Sequence, residues 1–293
     1  MATDHRPAQA IPGCVGLFGA LQVALNKATS GRVRINTSLR HHLTTFASLA
    51  ASLCHRPTHL AEIVPQDPSF VGTTDAAKAG MGGIYYCPKG LPHVWRGPFP
   101  PEVQSELVSS DNRAGVITNS DLEHAGLLGQ IMLMADNHDV TYATISDGSD
   151  NTPAVSRVTK GAVSSDTTAA HLCNVQCSHQ REHRYLHEAY YLAGPLNVMA
   201  DDASRMQSLT DSAFLAHFEQ AYPQGTPWWL LHLQSKHASR LISALLCKQP
   251  PSPQPGKHAR ATAPSSGTDP RSARSTTTPL ISLTSQVDLT SYA

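Results

Sequence analysis

Charge is scarce in this chain. Of its 293 residues only 15% are Asp, Glu, Lys or Arg, and the formal net charge is zero. A neutral chain has no global attraction for nucleic acid, a membrane surface or an acidic partner, although a local basic groove is compatible with a zero sum. Long apolar runs are missing too. The longest, "LLGQIMLMA", is broken by Gly129 and Gln130 and falls far short of the ~20 residues that span a bilayer. No internal repeat is present. No Gly-rich phosphate loop follows a strand in the Walker pattern, and no Ser/His/Asp or Cys/His nucleophile arrangement is recognisable from spacing. The six cysteines are irregularly spaced and no charged-then-apolar leader opens the chain. The expected setting is therefore an intracellular, reducing compartment, cytoplasm or nucleus, with free thiols. What is present is a 40% apolar composition on a length that suits one or two domains with a sizeable core.

Composition divides the chain. Residues 249–279, "QPPSPQPGKHARATAPSSGTDPRSARSTTTP", are dominated by Pro, Ser and Thr. Such a segment buries too little apolar surface to offset its ordering entropy and is expected to be a disordered linker. In 38–54, "SLRHHLTTFASLAASLC", Leu39, Leu43, Phe46, Leu49 and Leu53 recur three or four apart, which predicts an amphipathic helix. The middle reads as strands over 69–75 and 82–87 with a Gly-rich turn between them, and a third strand in "HVWRGPF". A helix follows in "SDLEHAGLLGQIMLMADNH", its apolar face made by Leu127, Leu128, Ile131, Met134 and Ala135. Then come a strand in "VTYATISD", a short helix near 152–163, a helix in "TTAAHLCNVQCSHQREH", a strand in "RYLHEAYYLAG" and a last helix opened by "NVMADDASRM". Three strands in a meander followed by β-α alternation predict a mixed sheet, antiparallel first and parallel after.

Four acids stand at comparable places in this series: Asp75 at the end of the first strand, Glu123 in the first turn of the clear helix, Asp150 after the fourth strand and Asp201 at the start of the last helix. Converging carboxylates repel one another and need a cation, and hard oxygens suit Mg²⁺ or Mn²⁺. Each acid also has an ordinary use. Asp75 suits a turn with Gly80. Glu123 fits a capping box with Ser120 as N-cap. Asp147 or Asp150 suits a loop, and Asp201 or Asp202 suits a helix N-terminus.

The wording around these acids resembles the ribonuclease H domain of retrotransposon reverse transcriptases. "GTTDAAKAGMGG" is similar to that family's first-strand acid with its small residues, "TNSDLEHAGLL" to its helix-borne glutamate and "SDNTPAV" to its third-acid segment. "GPLNVMADDASR" is similar to its closing N-x-x-A-D-x-x-S-R signature, and the downstream "HFEQAYPQGTPWWLLHL" and "LISALLCK" resemble the tail that follows it. The likeness covers about residues 35–248 and is most specific at 197–205. It implies an RNase-H-like α/β fold, a mixed five-stranded sheet with flanking helices, in which Asp75, Glu123, Asp150 and Asp201 hold two Mg²⁺ or Mn²⁺ ions and a metal-activated water attacks the RNA strand of an RNA–DNA hybrid. The signature selects Asp201 over Asp202, and the following Asn151-Thr152 selects Asp150 over Asp147. The glycines after Asp75 would let the chain turn tightly beside a metal and a phosphate.

Departures go with the likeness. Arg157 stands where the family often has an aromatic, and "MADD" at 199–202 lacks both the aromatic and the following hairpin of a polymerase box. The resulting division is 1–65 a helical remnant of a polymerase connection region, 66–210 the RNase-H-like domain, 211–248 a helical extension and 249–293 a disordered tail. The whole is expected to be a fragment of a retroelement polyprotein. The alternative to a working nuclease is a catalytically inactive remnant that serves as an interaction or nucleic-acid-binding module.

Two other clusters carry weaker chemistry. "HLCNVQCSHQREH" brings His171, Cys173, Cys177, His179 and His183 into one helix. Four ligands from one helix do not close a zinc tetrahedron, so the thiols are expected inward and the histidines outward. Trp228 and Trp229 suit either stacking on bases or packing under a loop after Pro227.

Overall fold

The computed structural model describes residues 23–28, 32–88, 90–161, 163 and 168–247. The expected linker and tail, 249–293, lie outside the described residues.

Strands β1 (Phe70–Ala77), β2 (Gly80–Tyr86) and β3 (Pro92–Pro98) form the predicted antiparallel meander. β4 (Thr144–Ser149) adds in parallel beside β1, and β5 (Leu186–Tyr191) in parallel beside β4. A further strand, β6 (Trp229–His232), pairs in parallel with β3. The sheet order is β5-β4-β1-β2-β3-β6, so the sheet has six strands rather than five. The extra strand comes from the segment expected to be wholly helical. Trp228 is buried against Phe218 and its neighbours, which brings the next residues alongside β3 and covers backbone groups that an edge strand would leave unpaired.

From residue 37 onward the α-helices are α1 (Thr37–His55), α2 (Pro101–Ser105), α3 (Asn119–Asn137), α4 (Thr152–Lys160), α5 (Thr168–His183), α6 (Val198–Arg205), α7 (Asp211–Ala221) and α8 (Ser235–Leu245). Alternate strand residues point to opposite faces. Met81, Tyr85 and Trp95 enter one core with residues of α3, α5 and α8. Ile84 and Val94 enter a second core with Ala203 of α6 and Phe214 and Phe218 of α7. α3 is buried on every side from Asp121 to Met134, where the sequence suggested a single apolar face. α1 docks on α5 through Phe46, Leu49 and Cys177, and Arg181 Nε donates to Ser52 Oγ at 3.1 Å.

Two local differences bear on the site. The fourth strand begins at Thr144, not Val140, because Tyr142 takes a left-handed conformation (φ 62) that ends any extended run. Asp147 therefore lies inside β4, and Asp150 is just past its end. The glycines after Asp75 do not make the turn either. Lys78 and Ala79 make it, while Gly80, Gly82 and Gly83 are β2 residues. Gly82 stands opposite Asp75, and a Cβ there would lie 2.5 Å from the Ala203 carbonyl carbon. Glycine at this position lets the backbone of α6 rest directly on β2.

Candidate metal centre

β1 and β4 run in parallel with Thr73 level with Gly148. Two residues further along each chain come Asp75 and Asp150, so register alone carries both acids to the same sheet edge. This is the edge at the carboxyl ends of the parallel strands, where open α/β sheets gather their ligands. α3 delivers Glu123 to it. The α3 cap explains how. Thr118 is the N-cap, its hydroxyl accepting from Asp121 N at 3.3 Å, and Asp121 Oδ2 accepts in return from Thr118 N at 2.8 Å. The capping box is Thr118/Asp121 rather than Ser120/Glu123, which leaves Glu123 to face the strands. Arg157 of α4 locks the cap from outside, donating to Asp121 Oδ1 at 2.8 Å.

Each of Asp75, Glu123 and Asp150 offers an oxygen within 4.8 Å of the other two, the only such group of acids, histidines and cysteines among the described residues. Asp75 and Glu123 are buried, and Asp150 sits at the more open mouth. Burial pushes the Glu123 carboxyl up to about 9, with further upward pushes from the charges of Asp75 and Asp150. Burial also raises Asp75, opposed by a hydrogen bond from Ser204 and supported by the charges of Asp201 and Asp150. Asp75 and Glu123, both raised, accept either a proton or a cation.

The surroundings hold them in place. Ser149 Oγ donates to Glu123 Oε2 at 3.3 Å and accepts from Asn151 N at 3.2 Å. Asn151 Oδ1 caps α4, accepting from Ala154 N at 3.0 Å. Ser204 Oγ donates to Asp75 Oδ2, and Asn197 Nδ2 donates to the Thr74 carbonyl at 2.9 Å. Composition and spacing single out none of Ser149, Asn197 and Ser204. The signal for two of them is present nonetheless, since Asn197 and Ser204 are fixed letters of the signature around Asp201.

Asp201 lies beside this group without joining it. It is close enough for its charge to raise Asp75, yet its Oδ1 accepts from Arg205 Nε at 2.6 Å. Asp202 turns the other way, its Oδ2 accepting from Tyr222 OH at 2.8 Å and standing 2.8 Å from His217 Nε2. Asp147 is no loop acid. It is fully buried inside the sheet, where Gln130 Nε2 donates to its Oδ1 at 2.5 Å and Trp95 Nε1 donates to Gln130 Oε1 at 2.7 Å.

The thiols and imidazoles of α5 form no comparable set. Cys173 and Cys177 are buried as expected, but so are His171 and His179. α5 is packed by α1, α3, α4 and α8 and has little outward face. Burial holds the Cys173 thiol up at about 12, and no disulfide joins the five cysteines among the described residues. Trp228 is buried and Trp229 is 56% exposed. No described helix is long and apolar enough to cross a membrane.

No protein-family model matches the chain, and no curated protein is similar to it at a significant level.

Proposed function

We propose that this chain carries an RNase-H-like nuclease domain of a retroelement, hydrolysing the RNA strand of an RNA–DNA hybrid with Mg²⁺ or Mn²⁺. The observation that carries the reading is the meeting of Asp75, Glu123 and Asp150 within 4.8 Å at the carboxyl ends of β1 and β4. The strand order β5-β4-β1-β2-β3, antiparallel in the meander and parallel beyond it, supports the same reading.

The residues fit a hard divalent cation. Their donors are all carboxylate oxygens, and the burial and neighbouring negative charge that raise Glu123 and Asp75 are offset by a positive ion. Asp75, Glu123 and Asp150 would hold an ion, with Asp201 available to a second. Two such ions supply Lewis-acid activation of water and neutralise charge on the leaving oxygen of a phosphodiester. Ser204 and Ser149 orient Asp75 and Glu123 by donating to one oxygen of each. Burial of those two acids keeps competing water off the donor set, while Asp150 at the mouth leaves an approach for a strand.

A second reading, an inactive remnant that binds nucleic acid or protein, draws on Asp201, which is paired with Arg205 rather than with the other acids. One assay separates the two. A labelled hybrid is incubated with the protein and Mg²⁺, Mn²⁺ or chelator, and with Asp75→Asn in place of the wild type. RNA cleavage that needs the metal and Asp75 supports the nuclease. Cleavage that survives chelation overturns the mechanism, and a folded wild type that cleaves nothing with metal supplied supports the remnant.

A further inference from the structure

The fourth acid brings its own cation. Asp201 and Arg205 are one turn apart on α6 and joined at 2.6 Å, with their side chains 41% and 65% exposed. The helix beneath them is tied down on several sides. Asp202 bonds to α7, Asn197 to the Thr74 carbonyl and Ser204 to Asp75, and Ala203 rests on Gly82. The part of α6 free to rearrange at the acid edge is therefore the Arg205 side chain itself. Its charge reaches beyond Asp201, since Asp75 and Asp150 also feel it.

An ion held between Asp201 and the other acids meets two obstacles. The guanidinium already engages an Asp201 oxygen, and it carries the same sign of charge as the ion. A guanidinium stays protonated at every working pH, so this competition is not relieved by titration. It is relieved by movement, because an exposed ion pair is weak enough to exchange.

We propose that Arg205 is a resident counter-cation that reserves Asp201, so that the site takes one divalent ion through Asp75, Glu123 and Asp150 and admits a second only by displacing Arg205. This rests on the metal-centre reading above and adds an order of filling to it. The arginine of the signature then has a role of its own, which is to limit occupancy of the second position.

The test counts ions rather than turnover. Mn²⁺ binding to the full chain is followed by electron paramagnetic resonance and calorimetry for wild type, Arg205→Gln, Arg205→Lys and Asp201→Asn, each first shown by circular dichroism to melt like the wild type. Wild type is expected to bind one ion tightly and another weakly. Arg205→Gln should tighten the weak site by about threefold to tenfold, the range for releasing an exposed pair and a nearby like charge, and leave the tight site within about twofold. Arg205→Lys should keep most of the weakness, and Asp201→Asn should lose the weak site alone. Equal affinities in wild type and Arg205→Gln, or a weaker second site in Arg205→Gln, overturn the proposal. Absence of any Mn²⁺ binding overturns it together with the metal centre. The expected binding pattern in a protein that cleaves no hybrid upholds it and overturns the nuclease reading alone.

Discussion

Asp147 and Asp150 lie three residues apart, one inside β4 and the other just past its end, and behave differently. At the open end of β4, Asp150 meets Asp75 and Glu123. Inside the sheet, Asp147 is sealed from solvent against Gln130, with His187 Nε2 3.8 Å away. Burial raises the carboxyl in both places, Asp147 well above its ordinary value and Glu123 to about 9. At the inner site burial also depresses His187 to about 3, so burial works against an ion pair between Asp147 and His187. A raised carboxyl is thus no mark of function by itself. What separates the two places is that the inner acid has an amide partner and no company, whereas the edge acids have one another and an opening.

The sharpest break of this comparison is to remove one charge from each place. Asp75→Asn keeps the shape and removes a hard ligand, and hybrid cleavage should fall at least about a hundredfold, since Lewis-acid stabilisation is worth several kcal/mol. Asp147→Asn should leave cleavage within about twofold, because the residue stands apart from the edge acids and its amide oxygen still accepts from Gln130. A large loss of cleavage in Asp147→Asn with the melting curve unchanged would merge the two places and sink the distinction.

A structural break comes next. Gly82→Val sets a side chain against the α6 backbone at Ala203, and overpacking of this kind costs about 2–3 kcal/mol. The displaced helix carries Ser204 and Asp201 with it, so metal affinity should fall along with stability, read by calorimetry and denaturant melts. Unchanged stability would mean that α6 does not bear on β2 as described.

At the inner site the expected effects are smaller. Asp147→Ala takes away the acceptor of a buried amide and should cost about 2 kcal/mol, whereas Asp147→Asn should cost less than about 1 kcal/mol. Equal costs would show that Gln130 does not depend on residue 147.

Much of this was legible before any coordinates. The β-like runs around Asp75 and Ile84 and the helix through Leu128 follow from local pattern, and sheet register then carries Asp75 and Asp150 to one edge. The cap of α3 was not legible, because "TNSDLE" contains two overlapping boxes, Thr118/Asp121 and Ser120/Glu123. Only the strands facing Glu123 decide between them. The burial of His171 and His179 was hidden for a similar reason. It depends on α1 and α8, far away in sequence, closing over α5. β6 was missed because four residues after Pro227 have too short a pattern to distinguish a strand from a loop, and it is the burial of Trp228 that sets them beside β3.

The mildest test uses pH to set the two places against each other. In metal-free protein Glu123 holds a proton up to about 9, whereas the unfolded chain releases it near 4.5. Between those values the folded state binds more protons, so its stability declines as pH rises. His187, at about 3, and His124, at about 4, are held neutral by burial where the unfolded chain takes up protons near 6.5. Below 6.5 the unfolded state binds more protons, so stability declines as pH falls. With chelator present, the melting temperature should pass through a maximum on the acid side of neutrality and drop by about 2–4 °C toward pH 9 for each kcal/mol lost. Mg²⁺ binds the deprotonated carboxylates and releases their protons, so the alkaline arm should flatten or rise when the metal is added. The acid arm belongs to the buried histidines and should not respond. Melting curves from pH 4 to 9, in chelator and in Mg²⁺, make the comparison. Identical alkaline arms would remove the metal from the acid edge, and an acid arm that shifts with Mg²⁺ would tie the buried histidines to it.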